Sequence, residues 1–450
     1  MNGLDLDLYE ARMAASYLRR GMTGPATFSL YARALPDRRG FLVAAGLADA
    51  LAFLQGFRMD DDEVAYLRDV AELDPAGADL LRGVRFTGDV WAVPEGRVVL
   101  AGEPLLEVTA PAAEAQLVET ALLSVVTFQT SVAAKAARCR LAAGGAQLID
   151  FTMRRAPGLA AADGVTRATA IGGFDATSNV AAARRYGLRP AGTMAHSFVQ
   201  AFPDEQSAFR AFALDHPQAP TLLVDTYDTI GGLYAAMAVI RQTCPDRPAA
   251  VRLDSGDLAA LSARARRILD AGGLSRVRIV VSGGLDEDRI AALVRADAPI
   301  DAYGVGTRLG VSWDAPSLDS VYKLVAFDSR PVAKQSPGKA TLPGAKQVFR
   351  DGTCAATDVL GLRAEAAPDG RTPLLVPVMR NGVPTLTGDE ASQVQRARER
   401  CAADVRSLPA EALRLDDPVA PEAVLSPALR AVRDDVRAAF RRGGDGAPWR

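Results

Sequence analysis

The sequence predicts an α/β protein built as an irregular TIM-like α/β barrel, with an N-terminal mixed α+β domain ahead of it and a loop-rich C-terminal region behind it. Three observations predict this. First, short apolar runs recur through the middle of the chain, each followed by a polar cluster and a helical stretch: QLIDF (147–151), AGTMA (191–195), TLLVD (221–225), AVRLD (250–254), VRIVVS (277–282) and DAYGVG (301–306). The later runs lie roughly 20 to 30 residues apart, the length of a strand and its returning helix, and continuous apolar strands of this kind form a parallel sheet covered by helices. Second, the residues able to do chemistry fall just past the C-terminal ends of different runs: 151–154, His196, 225–228, Asp254 with Ser255, 282–284 and 304–307. A barrel gathers such positions on one rim, whereas an open sheet draws its crevice mainly from the strands flanking one switch point. Third, 450 residues give room for two or three domains, one of them as large as a barrel.

In chain order, Leu8, Tyr9, Met13 and Tyr17 recur near helical spacing, and FLVAAGLADALAFLQGF continues the helical pattern after the turn at 37–40. Between Val84 and Thr109 short β-rich runs alternate with Pro-Glu-Gly and Ala-Gly-Glu-Pro turns, the texture of a small antiparallel sheet. A long helix follows and stops at Gly144-Gly145. After Arg330 the chain turns rich in Pro and Gly, and a charged helical tail begins at Asp389. The domains expected are therefore 1–140 (mixed, with the small sheet and long helix), 141–330 (barrel) and 331–450 (loop-rich and helical, either separate or packed back on the first).

Composition narrows the function. With 49% hydrophobic and 24% charged residues the chain has the make-up of a soluble globular protein. A formal charge of -2, from 52 basic against 54 acidic residues, gives no overall attraction to nucleic acid or an anionic membrane, so an anionic ligand must be met locally. The opening MNGLDLDLYE lacks the basic start of a secretory signal and no apolar stretch reaches membrane-spanning length, so a cytoplasmic location is expected. Cys139, Cys244, Cys354 and Cys401 lie far apart with no CxxC pair, which predicts free thiols rather than a disulfide or zinc framework. All but five basic residues are Arg, so Lys135, Lys323, Lys334, Lys339 and Lys346 are candidates for roles that need an ammonium. His216, in an Asp-His-Pro turn, is expected at the surface.

Six motifs carry the candidate chemistry. In YGVGTRLG, Gly304 and Gly306 would let backbone N–H groups approach an anion and Thr307 would add a hydroxyl, although a tight βα turn explains the glycines equally simply. Ser282, Gly283 and Gly284 end the preceding run, and adjacent glycine loops late in a barrel suit a phosphate. RLDSGD sets Arg252, Asp254, Ser255 and Asp257 around one strand end, where a guanidinium can hold a carboxylate or phosphate and aspartates a hydroxyl or Mg²⁺; Asp257 also suits a helix cap. VDTYDT adds Asp225 and Asp228, FTMRRAP adds Arg154 and Arg155, and GTMAHSF places Thr193 and His196 past another strand end, where an imidazole can act as a base or accept a phosphoryl group.

Taken in order, DLYEARMAASY, RGFLVAAGLADAL, FQTSVAAKAAR, MRRA, GGFDATSNV, GTMAHSF, VDTYDT, VRLDSGDL, GVGT and SPGKATLPGAKQVFR resemble the nicotinate phosphoribosyltransferase family, from about Asp7 to Leu362. The resemblance implies transfer of phosphoribose from phosphoribosyl pyrophosphate to nicotinate, giving nicotinate mononucleotide and pyrophosphate in NAD salvage. It implies Mg²⁺, ATP as a co-substrate hydrolysed through a phosphohistidine at His196, and a homodimer with shared active sites. By motif match it implies roles for His196, for Tyr9, Thr193 and Arg154, and for Arg252 and Thr307 as phosphoribosyl contacts. With the residues read from the motifs, the expected catalytic set is His196, Arg252 and Asp254 and the expected substrate contacts are Tyr9, Arg154, Thr193, Asp225, Ser282, Gly283, Gly304, Gly306 and Thr307, with the magnesium ligands unassigned. Departures from the usual family pattern, at Leu6, Glu10, Ala11, Arg12 and Pro157, bear on the nicotinate pocket. The alternatives are a nicotinamide- or quinolinate-specific enzyme, a barrel lyase using Lys323 as a Schiff-base amine, and a non-catalytic phosphate-binding relative.

Overall fold

The computed structural model describes residues 3–443. By its contacts the chain divides into two units: one holds the described residues up to Ala134, Ala315–Asp389 and those from Glu399 onward, the other Lys135–Asp314 with Glu390–Arg398.

The first unit is organised by the strand Pro25–Ala32, whose residues are all buried except Pro25. It pairs antiparallel with Ser320–Phe327 on one side and Pro104–Pro111 on the other. Its Phe28 stacks on Tyr322 with ring centroids 4.7 Å apart. Asp89–Ala92, Val376–Arg380 and two short edge strands extend the sheet to seven. The helical texture expected near the start holds for Leu8–Arg19 and Leu47–Gly56, but the strand Pro25–Ala32 was not expected, and Leu42–Val43 is a strand where the pattern suggested helix. Gly46, at φ +91, separates that strand from the helix that follows. The long helix runs as Ala112–Leu117 and Glu119–Ala143, broken at Val118.

Beyond Arg330 the chain is less irregular than its Pro and Gly content suggests. Lys346–Asp351 pairs with Cys354–Leu362, and Val376–Arg380 pairs with Asp89–Ala92. The tail helix spans Glu390–Arg406. A fully buried arginine, Arg350, fastens this region: Nε bonds Asp358 at 2.9 Å, Nη1 bonds Asp404 at 2.9 Å and Nη2 donates to the Val98 carbonyl at 2.8 Å. Lys346, also buried, pairs with Glu107 at 3.2 Å. Each is a charge taken out of water that persists because its partners are fixed.

The second unit holds seven parallel strands in the order Arg189–Pro190, Ala176–Thr177, Gln147–Asp150, Ala302–Val305, Arg278–Val281, Ala250–Leu253, Thr221–Leu223. Five of the six expected strands are present; AGTMA is not one. The chain forms its strand just before that run, and 191–195 is a loop leading into the helix His196–Gln200. The expected α/β architecture with a parallel sheet is present, without the closure of a full TIM-like barrel. The sheet is a curled half-barrel, and its two edge strands do not pair with each other. Arg189–Pro190 has two exposed residues, one of them a proline with no N–H to donate, so it offers almost no ladder for closure.

Small side chains leave the sheet's interior hollow. Ile149, Ala176, Ala250, Val280 and Ala302 share one face with Phe151 and Ala191, and a cavity of about 670 Å³ opens beside the starts of these strands. Leu159–Ile171, Thr229–Thr243, Leu258–Ala271 and Glu287–Arg295 are among the helices of this unit. Asp228, Asp257 and Asp286 cap three of them by accepting from Gly231, Ala260 and Arg289 N–H groups, which accounts for two of the acidic residues noted in the motifs. Buried Lys135 is paired with Glu287 at 2.6 Å and Asp314 at 2.8 Å, and Arg138 joins Glu287 at 3.1 Å. None of the four cysteines forms a disulfide, and among the described residues no helix is long and apolar enough to cross a membrane.

One sequence departure has a measurable consequence. Glu10 is fully buried and accepts from the Thr120 N–H at 3.1 Å and from the Thr120 hydroxyl, while its second oxygen has no partner. Burial, reinforced by Glu119 and Asp7, pushes its carboxyl up to about 7 against the pull of the Thr120 bonds. A carboxyl whose folded pKa is raised stabilises fully below its unfolded value and loses that contribution as pH rises through the folded one. Glu10→Gln is therefore expected to match wild type near pH 4 and to exceed it by about 1–3 kcal/mol at pH 8. Denaturant unfolding at the two pH values measures this; an equal difference at both would refute it.

Candidate functional site

The site is built around Arg252, whose side chain is 11% exposed. Its position on Ala250–Leu253, one strand in from an edge, lets it reach three neighbours: Nε donates to Ser282 Oγ at 2.8 Å, Nη1 to Thr193 Oγ1 at 3.0 Å and Nη2 to Asp254 Oδ1 at 2.8 Å. Its guanidinium carbon lies 5.3 Å from the centroid of the Phe151 ring, a cation–π contact. The Ser282 hydroxyl also donates to Asp254. Asp225 Oδ2 accepts from the Asp254 N–H at 2.9 Å and the Ser255 hydroxyl at 2.6 Å, joining two strand ends.

Burial works against the charge on Asp254, but the Ser282 hydroxyl, Arg252 and His196 outweigh it and hold the carboxyl below the usual carboxylate range. His196 Nε2 is 4.0 Å from Asp254 Oδ2, and Nδ1 lies 3.2 Å from Thr226 Oγ1. At 43% side-chain exposure the imidazole remains accessible. These groups open onto a cavity of about 370 Å³ that Phe151, Met153, Arg154, Ser178, Thr193, His196, Arg252 and Asp254 line. Phe151 and Thr193 also border the larger interior hollow.

The structure thus brings together Arg154, Thr193, His196, Asp225, Arg252, Asp254 and Ser282. Gly283, Gly306 and Thr307 lie at the ends of the next two strands along. Gly283 adopts φ +98, and a Cβ there would lie 2.0 Å from the Asp254 carbonyl oxygen, so both conformation and space demand glycine. Gly304 is inside the strand Ala302–Val305, and its missing side chain makes room for the Phe151 ring. Tyr9 belongs to the first unit, on Leu8–Arg19, and is 45% exposed; partial burial and Glu119 hold its phenol above the ordinary range. His216 is exposed, as expected.

Lys323 stands elsewhere. It lies in the antiparallel strand Ser320–Phe327, opposite Ser29 and 3.6 Å from Glu119, and is no part of the parallel sheet's rim, which removes the ground for a Schiff-base lyase. The sequence places Phe151 at a strand end on the rim and Ser178 within GGFDATSNV, but assigns neither a role in the pocket that both line. The signal lay in position alone: Phe151 is two residues beyond inward-facing Ile149 and shares its face.

A half-barrel whose strand ends surround an arginine-lined pocket defines a protein of the α/β-barrel class with its site at the C-terminal rim. A model of the nicotinate phosphoribosyltransferase (NAPRTase) N-terminal domain matches residues 4–127, and one of the NAPRTase family matches 146–352. The chain belongs to the nicotinate phosphoribosyltransferase family. Nicotinate phosphoribosyltransferase pncB2 of Mycobacterium tuberculosis is 46% identical over 426 residues, which cover 93% of this chain and 90% of that one. The Homo sapiens nicotinate phosphoribosyltransferase is 36% identical over 439 residues, covering 82% of this chain and 81% of its own. The crystal structure of human nicotinic acid phosphoribosyltransferase matches with a TM-score of 0.82 at 30% identity, over 96% of this chain and 99% of the other.

The packing of Phe151 against Gly304 can be tested directly. A Cβ at residue 304 would lie 2.4 Å from a Phe151 ring carbon, inside contact distance, so the ring would have to move. Gly304→Ala is expected to lose about 1–3 kcal/mol of stability from overpacking. An unchanged denaturation midpoint would show that the ring is not held there.

Proposed function

We propose that the protein is a nicotinate phosphoribosyltransferase, joining nicotinate to phosphoribosyl pyrophosphate to release nicotinate mononucleotide and pyrophosphate. One observation carries the reading: Arg252 and the Phe151 ring meet in one wall of a cavity of about 370 Å³, with exposed Arg154 in its lining. A flat ring and guanidinium groups suit a planar aromatic carboxylate, and this favours nicotinate over its amide.

In the proposed reaction the pyridine nitrogen attacks the anomeric carbon of the sugar as pyrophosphate departs, through a transition state of oxocarbenium character. Asp254, kept ionised by Ser282 and Arg252, provides negative charge at the rim as the sugar becomes cationic. Ser282, Gly283, Gly306 and Thr307 form the phosphate side of the site. Magnesium would neutralise the leaving pyrophosphate. Asp225 fits a role beside it, because Oδ1 is a buried oxygen with no partner, as is Oε1 of Glu205. No larger set of metal ligands converges among the described residues, consistent with an ion that substrate phosphates hold in large part. Accessible His196 would accept a phosphoryl group from ATP, and Tyr9 would complete the nicotinate site of the second subunit in a cytoplasmic homodimer.

Product formation from nicotinate and phosphoribosyl pyrophosphate, with and without ATP, tests the reading; turnover of nicotinamide or quinolinate in preference to nicotinate would overturn it. His196→Ala is expected to abolish phosphoenzyme and ATP stimulation while residual transfer remains, and persistence of an acid-labile phosphohistidine in that variant would exclude the assignment. Tyr9→Ala should cost about 1–3 kcal/mol of nicotinate binding. Subunits of Tyr9→Ala and His196→Ala, exchanged into heterodimers, should recover activity in one of two composite sites; no recovery would exclude shared sites.

A further inference from the structure

Asp150 ends the strand Gln147–Asp150 immediately before Phe151, yet it does not line the cavity. It is 1% exposed, and its partners among the described residues are hydrogen-bond donors rather than a cation. Oδ1 accepts from the Thr152 N–H at 2.8 Å and the Thr152 hydroxyl at 2.5 Å; Oδ2 accepts from Thr177 Oγ1 at 2.8 Å and Thr166 Oγ1 at 3.1 Å. These donors come from three separate stretches of chain: the loop after Phe151, the strand end before Ser178, and the helix Leu159–Ile171.

We propose that Asp150 is the positioning residue of the aromatic pocket, fixing Phe151 and Arg154 on one side and Ser178 on the other through this set of four donors. The inference rests on the functional reading above for the identity of the ligand.

The geometry explains why the group must be a carboxylate. The Thr177 hydroxyl accepts the Asn179 N–H at 3.0 Å, so its own proton is committed to Asp150. The Thr166 hydroxyl accepts from Asn179 Nδ2 at 3.3 Å and shares its single proton between Asp150 Oδ2 and the Ala162 carbonyl, each at 3.1 Å. Asn179 in turn caps the helix Val180–Tyr186 through the Ala182 N–H at 3.2 Å. An amide at residue 150 would either turn its NH₂ group toward the hydroxyls and leave the buried Thr177 proton without its acceptor, or turn it toward the Thr152 N–H and set two donors against each other. The strand could persist, but the two loops that leave it would no longer be held in one arrangement.

Full-length wild type, Asp150→Asn, Thr177→Val and Thr177→Ser would be compared for kcat, for KM with nicotinate and with phosphoribosyl pyrophosphate, and for thermal midpoint. The expectation is that Asp150→Asn and Thr177→Val each raise the nicotinate KM about tenfold, with kcat and the other KM within about twofold. Thr177→Ser keeps the hydroxyl and should stay near wild type, and combining Asp150→Asn with Thr177→Val should add little to either alone. An unchanged nicotinate KM in Asp150→Asn overturns the proposal, as does a uniform fall in all kinetic parameters together with the midpoint. Wild type that fails to turn over nicotinate would refute the functional reading instead. In that event crystal structures of wild type and Asp150→Asn decide the positioning by themselves: displaced Phe151 and Ser178 support it, and unmoved ones reject it.

Discussion

The second unit depends on side chains to complete a barrel that its backbone leaves open. Arg189–Pro190 and Thr221–Leu223 are the unpaired edges of the parallel sheet. Residues just beyond them nevertheless reach across: Thr193 to Arg252 at 3.0 Å, and His196 to Thr226 at 3.2 Å. Main-chain ladders are rigid and indifferent to ligands. Hydrogen bonds between a hydroxyl, an imidazole and a guanidinium are neither, because each group can exchange its protein partner for a substrate atom. The opening in the sheet is therefore also where the reactive groups are concentrated.

Placement of charge follows from the same arrangement. Arg252 has three protein partners, so exchanging Thr193 for a substrate atom would leave its guanidinium still oriented by Ser282 and Asp254. Asp254 stays ionised because its neighbours were assembled on adjacent strand ends. By contrast Asp225 has one oxygen engaged and the other without a partner. The rim thus combines groups held by protein partners with an acceptor at Asp225 that has none.

How much of this was legible in the sequence varied with the physics of each element. The strands Ala250–Leu253, Arg278–Val281 and Ala302–Val305 announce themselves because they are buried apolar runs followed by helix caps. Arg189–Pro190 does not, since an exposed two-residue strand has no hydrophobic signature, and the more apolar AGTMA beside it carries the strand pattern instead. Pro25–Ala32 was missed for another reason: it is covered on both faces by other parts of its unit, so it shows no period-two pattern. Among site residues, His196, Arg252 and Asp254 were visible as chemistry at strand ends. Phe151 looked like the tail of an apolar run, and Asp228 like a ligand although its carboxylate caps a helix. Side-chain direction and cap geometry separate those roles, and a one-dimensional pattern carries little of either.

The scarcity of lysine has a practical outcome once burial is known. Lys135 is the single lysine of the unit that carries the pocket, and it is 2% exposed and held between Glu287 and Asp314; Lys346 is 1% exposed. Lys323, Lys334 and Lys339 are the side-chain amines that solvent can reach, and all three belong to the other unit. Acylating dyes, cross-linkers and amine-coupled surfaces would consequently attach through that unit. The pocket-bearing unit offers them no side-chain target, so a protein tethered by its amines keeps the residues around Arg252 chemically untouched.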